Sequence, residues 1–393
     1  MNKTVLFFIG IVLLIGIEVG KVFFIMPFPG SQRSETIEIA YFLHTYINFF
    51  RVVGVLLVAF SGYHLIRQSR PWLKSVVAVV LIFWLVIAFM FNFRFKADKM
   101  FYQPKSKVLV SVNGSKIPLK QLVLGVSLNG ESKAYPIEII GYHHQVRDTV
   151  GGQSIMVTYC TVCRTGRVFN PSVDGQHEEF RLVGMDHFNA MFEDSRSGTW
   201  WRQVNGEAII GPLKGKQLEE IPSEQMTLAA WISRYPQTKI LQEDSTFKKK
   251  YENLSKYDEG KKQGSLERKD SLSWQDKSWV IGIQIGMEPR AYDWIEVLGQ
   301  SVVNDKIATT PVLVAIEQDS ATFHVWQRPD SLLFSLNENK ILVDDKTGSK
   351  WDWSGKCVEG KLMGTSLEHI QSYQEYWHSW KTFRPQTTQY KKE

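Results

Sequence analysis

The stretch SGTWWRQVNGEAIIGPLKG, residues 197–215, returns about 150 residues later as TGSKWDWSGKCVEGKLMG, residues 347–364. Gly198, Trp201, Gly206, Gly211 and Gly215 stand against Gly348, Trp351, Gly355, Gly360 and Gly364, with a single one-residue gap after the tryptophan. Downstream, Leu218, Ile221, Trp231 and Pro236-Gln237-Thr238 answer Leu367, Ile370, Trp380 and Pro385-Gln386-Thr387. Upstream, Gly125, Ala134, Tyr135, Asp148 and SIMVTY answer Gly282, Ala291, Tyr292, Asp305 and PVLVAI. Spacing kept over such a length, with aromatic pairs included, is the mark of a tandem duplication of one supersecondary unit.

Within a copy, VLVSVNG, LVLGVSL, SIMVTYC and GRVFN alternate apolar and polar residues between glycine turns, the pattern of strands. One helix per copy is expected, over 225–235 and 373–383, each stopping before a proline, Pro236 or Pro385. Between the copies, 243–278 carries nine basic and eight acidic residues and few apolar ones, which reads as a solvated linker or surface excursion whose C-terminal end docks through Trp274 and Trp279.

The first hundred residues are of another kind. Apolar runs at 4–26, 41–66 and 75–93 are each long enough, at about 1.5 Å per residue, to cross a hydrocarbon core of roughly 30 Å. The first run is too long for a signal peptide and is followed by Pro27 and Pro29 rather than a small-residue cleavage site, so it is kept as an anchor. The loop after the second span carries Arg67, Arg70 and Lys74; the loop before it sets Arg33 against Glu35 and Glu38. By the positive-inside rule the later loop is cytoplasmic, although Arg94, Lys96 and Lys99 count against this. The expected product is a multi-pass protein of the plasma (inner) membrane with its large C-terminal domain on the extracytoplasmic side. Inside the spans, Lys21 and Arg51 are expected to snorkel to the interface, leaving Glu18 as the ionisable residue to explain.

The fold class expected is therefore membrane-anchored α+β: a transmembrane region at 1–100, a β-rich repeat at 101–242, the charged segment at 243–278, and a second β-rich repeat at 279–393. The chain's 44% apolar and 22% charged residues exclude a disordered protein, and its net charge of +6 is spread by interleaved acids and bases, so no nucleic-acid partner is expected.

Chemistry concentrates at VTYCTVCRTGRVF, residues 157–169. Cys160 and Cys163 have Glu317 and Ser320 as counterparts, so only the first repeat carries the pair. C-type haem attachment is excluded because Arg164, not histidine, follows Cys163. A thioredoxin-like couple needs a helix after its first cysteine, whereas RTGRVFNPSVDG reads as turn and strand, although Arg164 could still lower a thiolate pKa by its charge. Three readings stay open: a structural disulfide, a thiol redox or thiol-ligand site, and a metal ion held by the thiolates, with His187 as the best third ligand and His143, His144 and Cys357 as others. His187, Asn189 and Gln203 lack counterparts in the second repeat and join the cysteines as specialisations of the first. The expectation is that His187 or Asn189 shares a pocket with the sulfurs while Cys357 stays away. Asp194 and Trp201 are matched by Asp345 and Trp351 and read as a structural turn and core.

The run YCTVCRTG, followed by NAMFEDSRSGTWWRQVNGEAIIGPLKG and later VDDKTGSKW, resembles a bacterial and archaeal family catalogued as domain of unknown function 3179, over roughly residues 105–387. Members of that family carry a tyrosine, C-P-x-C and a small residue; here Thr161 replaces the proline and Arg164 follows the pair. The resemblance implies an extracytoplasmic association and no particular activity. Two functions follow from the residues: a thiol redox or metal-ligand site on Cys160, Cys163, Arg164, Asn189 and Gln203, or a non-catalytic module binding a glycan, a peptide, another small molecule or a membrane-protein partner through its aromatic surface. No nucleophile elbow, phosphate loop or zinc-protease helix is present, so hydrolases and nucleotide-using enzymes have no support.

Overall fold

The structure, a computed structural model, describes residues 2–68, 70–262 and 264–392. It contains two compact units: Met1–Tyr102 with Glu178–Arg202 and Glu207–Gln217, and Gln103–His177 with Gln203–Gly206 and Leu218–Glu393.

In the first unit, three helices are long and apolar enough to cross a membrane: α1 (Lys3–Phe23), α2 (Ile37–Gln68) and α3 (Pro71–Phe93). Helix α1 stops at Phe23, ahead of Pro27 and Pro29. Helix α2, at 32 residues, is about 48 Å long and outruns a hydrocarbon core. Close packing of α1 on α2 depends on Gly54, where an added Cβ would lie 2.6 Å from Leu14.

Lys21 and Arg51 do not snorkel. Both turn inward to Glu18, Arg51 through Nε at 2.6 Å and Nη2 at 3.0 Å. Asn92 of α3, unremarked in the sequence, donates to Glu18 at 2.8 Å and accepts from Lys21 at 2.6 Å and from Arg51 at 2.8 Å. A carboxylate in apolar surroundings is tolerated only when paired and hydrogen-bonded, so the cost of burying Glu18 selects this network over two solvated cations.

The same unit contains an antiparallel sheet in the order Ala208–Ile210, Trp200–Arg202, Asn189–Asp194, Phe180–Asp186. It sits on the ends of α1 and α2: Met185 N–H donates to the Ile25 carbonyl at 2.7 Å, and Ile25, Ala40, Val183, Met191, Trp200 and Ile209 form one core. Glu193 ties the contact by accepting from Trp200 Nε1 at 2.8 Å and pairing with His44 at 3.0 Å and Arg181 at 2.5 Å. Burial would raise its pKa, but these partners outweigh it and hold the carboxyl at about 2.

The second unit contains two sheets of matching order. One runs Glu224–Thr227, Leu122–Leu128, Glu131–Pro136, Lys239–Leu241, with Leu109–Ser111 at its edge; the other runs Ser372–Tyr376, Trp279–Ile285, Glu288–Asp293, Thr388–Gln389. In each, a central hairpin has an antiparallel strand on one side and a parallel strand on the other. Each hairpin also carries one glycine under a tryptophan: a Cβ on Gly125 would lie 2.3 Å from Trp231, and one on Gly282 2.2 Å from Trp380. Both indoles donate to a threonine at 2.8 Å, Thr238 and Thr387. Tyr135 donates to Asp148 at 2.8 Å as Tyr292 does to Asp305 at 2.7 Å.

A second layer contains Gln145–Val150, Gln153–Cys160 and Thr165–Phe169 in one sheet and Val302–Ile307, Thr310–Ile316, Phe323–Gln327 and Glu368–His369 in another. A further sheet, Phe334–Leu336, Leu342–Asp344, Lys350–Trp351 and Cys357–Glu359, has the strand order of the sheet in the first unit.

Three expectations are corrected. Residues 224–227 and 372–376 are strands, and the helices begin only at Leu228 and Trp377, because the edges of Leu122–Leu128 and Trp279–Ile285 offer backbone partners that outweigh the helical pattern. Trp351 donates to Asp344 at 3.2 Å, as Trp201 does to Asp194 at 2.9 Å, while Asp345 instead accepts from Leu333 N–H. The segment 243–278 is not solvated throughout: Phe247, Tyr251, Leu254 and Tyr257 are buried, at a helical spacing that the intervening lysines and acids hide in the sequence.

Candidate functional site

Strand Gln153–Cys160 and strand Thr165–Phe169 are joined by a four-residue turn, and Cys160 pairs directly with Thr165 across the ladder. Cys163 lies in the turn, which Arg164 closes in the left-handed region at φ 57°. Both sulfurs are wholly buried and both are free thiols rather than a disulfide. They are in hydrogen-bond contact with each other.

What surrounds them comes from distant parts of the chain. Tyr376 N–H donates to the Cys163 carbonyl at 3.0 Å, and the Ser379 hydroxyl meets the Cys163 thiol. Lys277 caps the turn, with Nζ on the Val162 carbonyl, 3.2 Å from His378 Nε2 and 4.5 Å from the centre of the Tyr376 ring. His378 Nε2 also lies 3.1 Å from the Val162 carbonyl. Burial, and then the neighbouring Cys160 sulfur, hold the Cys163 thiol well above its ordinary pKa, while Lys277 and Ser379 pull the other way. Burial, and then the Lys277 charge, push His378 down to about 3, so this imidazole is neutral. Lys277 is itself lowered by burial, against the two sulfurs.

Beneath the thiols lies a buried ionic chain. Ser379 donates to Glu375 at 3.1 Å, and Glu375 pairs with Arg167, whose Nε donates to the Val204 carbonyl at 2.9 Å and whose guanidinium lies 3.5 Å from the centre of the Tyr373 ring. Arg164 donates through Nε to Gln374 at 2.7 Å and stacks on Trp279 at 3.8 Å. Tyr257, from the charged segment, donates to the Thr161 carbonyl at 3.1 Å. Asp258 beside it is raised by burial to about 6 despite Arg164, and accepts from Leu122 N–H at 2.9 Å.

Of the residues singled out from the sequence, Arg164 and Gln203 belong to these surroundings. Gln203 donates to Thr158 at 2.9 Å and to the Thr165 carbonyl at 3.0 Å, and accepts from the Thr165 hydroxyl at 2.5 Å, next to the residue paired with Cys160. His187 and Asn189 belong to the first compact unit. His187 and Phe188, with φ of 48° and 65°, form the two-residue turn of a hairpin. His187 Nδ1 meets Asp186 at 2.6 Å, its Nε2 lies 3.6 Å from Glu35, and the Asp186 hydrogen bond, opposed by burial, raises its pKa. Asn189, also buried, pairs with Asp186 across the same hairpin. Among the described residues no group of three or more His, Cys, Asp or Glu side chains is placed to hold a metal ion. Cys357 is buried with Leu313, Trp326, Leu342 and Trp351.

The sequence reading missed Lys277, Glu375, His378 and Ser379. A signal was present. Counting back from Trp231 and Trp380, which the sequence spacing matches, His378 and Ser379 stand opposite Ala229 and Ala230, so the two segments differ in the very helix that meets the thiols.

Residues 105–387 match the model of the family described as Protein of unknown function (DUF3179). The chain belongs to the DUF3179 family. No curated protein and no solved structure matches it. The DUF3179 region takes in the thiol turn and all of its partners named above, as well as the sheet packed on α1 and α2, and leaves out the three apolar helices.

Proposed function

We propose that this DUF3179 protein is anchored in the plasma membrane by three spanning helices, exposes an extracytoplasmic domain made of two tandem repeats, and uses Cys160 and Cys163 as a dithiol–disulfide redox centre. The duplication is supported by the matched strand orders and by reciprocal contacts. The thiol turn meets Tyr376 and the helix after it, and the corresponding turn meets Thr227, whose N–H donates to Thr322 at 3.1 Å and whose hydroxyl donates to Asp319 at 2.9 Å. Gln225 and Gln374, counterparts by spacing, join each other at 2.8 Å.

The observation that carries the redox reading is the Lys277 ammonium, half-buried against the turn that holds two touching thiols. Two thiols that only fill a core need no cation, and burying one is costly unless it serves a charge that forms there. The pair is here reduced and closed. Once a local opening admits a disulfide to the turn, a thiolate stabilised by the Lys277 ammonium attacks one sulfur of the incoming disulfide, giving a mixed disulfide and releasing one thiol. The second cysteine then attacks the sulfur of the first, closing the Cys160–Cys163 bond and releasing the second thiol. Two electrons pass to the incoming disulfide, and the two cysteine protons leave on the released thiols. His378, neutral and in contact with Lys277, can carry a proton between them.

The test is equilibration of the full chain in glutathione buffers, followed by alkylation and mass spectrometry. One two-electron transition joining Cys160 to Cys163 is expected, reached more slowly in Lys277→Met because the attacking thiolate loses its charge partner. Folded protein that forms no such bond at any poise contradicts the proposal. The complete burial of both sulfurs favours a second reading, a binding module in which the thiols are only packing.

A further inference from the structure

Where the first copy is sealed, the second is open. By spacing, Glu317 and His324 stand at the positions of Cys160 and Arg167, and Met226 and Ala230 at those of Glu375 and Ser379. The first set fills its place with a buried ion pair and thiols. The second, with alanine and methionine in place of serine and glutamate, leaves a cavity of about 350 Å³, within the range of small-ligand sites.

One wall is aromatic and flat. The His324 ring lies 5.0 Å from Trp326 at 18° and 5.8 Å from the half-buried Trp353 at 24°, so the ring planes are nearly parallel. Three further lining groups are each held through one terminal atom. His324 fixes Glu317 Oε1 at 2.7 Å, Glu224 fixes Arg234 Nη1 at 2.6 Å, and the Ser354 N–H fixes Asp352 Oδ1 at 2.9 Å. Among the described residues, Glu317 Oε2, Asp352 Oδ2 and Arg234 Nη2 have no hydrogen-bond partner, nor has the buried His324 Nδ1. The cavity thus presents free acceptors and a free donor beside an aromatic face.

We infer that this cavity binds the pyranose ring of a neutral sugar. Its two carboxylates would repel an anion, and Arg234 counts against a cation. A hydroxyl both donates and accepts, so vicinal hydroxyls satisfy Glu317, Asp352 and Arg234 together while the C–H face of the ring lies on Trp353. This site does not depend on the thiol reading.

The experiment is saturation-transfer NMR on the full chain in a sugar-free detergent, with methyl glycosides of glucose, galactose, mannose and N-acetylglucosamine, and with choline as a cationic control. Transfer to the ring protons of at least one pyranoside is expected. Trp353→Ala should abolish it, and Glu317→Gln should weaken binding by about tenfold or more, the size of one lost charge-assisted hydrogen bond. The double variant Cys160→Ala/Cys163→Ala should bind as the wild type does. Should Trp353→Ala not fold, Asp352→Asn joins Glu317→Gln as the second variant. Folded wild-type protein that transfers to no pyranoside, transfer that survives these substitutions, or transfer to choline instead would overturn the inference.

Discussion

The turns CTVCRT, 160–165, and EQDSAT, 317–322, have equal length, join corresponding strands and meet corresponding helices, yet one is sealed and the other borders a cavity. The scaffold is the same; the difference lies in what the opposing strand and helix present. Against the first turn they offer Glu375, His378 and Ser379, and against the second Met226, Ala229 and Ala230. On the proposed duplication, each turn is completed by residues of the other half, so neither can be understood from its own half alone.

The comparison breaks most sharply at the buried ion pair. Glu375→Ala should cost about 3–5 kcal/mol, because Arg167 is left charged and buried with only the longer contact to Glu220 at 3.7 Å. Met226→Ala, at the corresponding position, should cost less, since no charge is stranded there. Thermal unfolding followed by tryptophan fluorescence in detergent compares the two.

Where the halves agree, they should fail alike. Gly125→Ala and Gly282→Ala each drive a methyl into an indole, at a cost of about 1–3 kcal/mol or more. A loss confined to one of them would argue against a shared scaffold. Asp194→Ala and Asp344→Ala each orphan a buried tryptophan N–H and should cost about 1–3 kcal/mol apiece.

The smallest effect is a pH dependence present on one side only. His378 titrates near 3 in the folded chain and near its ordinary value when unfolded, so the stability it contributes is complete above about pH 6.5 and is lost as the pH falls toward 3. Glu138 at about 7 and Asp258 at about 6, both raised by burial, act in the opposite sense, stabilising at low pH and costing stability as the pH rises through those values. Comparing wild type with His378→Gln across pH 3–7 isolates the histidine: the variant should lose less on acidification, with a difference on the order of a few degrees in melting temperature. A wild-type profile no steeper than that of the variant would mean that His378 takes up its proton freely in the fold.

Much of the architecture was legible because it is local or periodic. The apolar runs gave three helices, and the glycine and tryptophan spacing marked the paired hairpins before any contact was known. What escaped depends on contacts distant in sequence. Asn92 reads as one polar residue in an apolar helix until Glu18 is seen to need a third donor. Residues 225–227 fall within the expected helix, yet a strand edge claims them. Tyr257 looks solvated among its charges and is buried against the thiol turn. The cysteines were found at once, while Lys277 and Ser379 were not, because a span of more than a hundred residues separates each of them from the turn it completes.

The claim that the thiol pair is a working centre rather than packing is tested most directly by alkylation kinetics on the native, reduced full chain, with Cys357 as an internal clock, since all three sulfurs are fully buried. If the Lys277 segment opens without global unfolding, Cys160 or Cys163 is alkylated well before Cys357, and Lys277→Met changes that rate alone. If all three cysteines react together, at the rate of global unfolding, the pair is packing and the account is wrong.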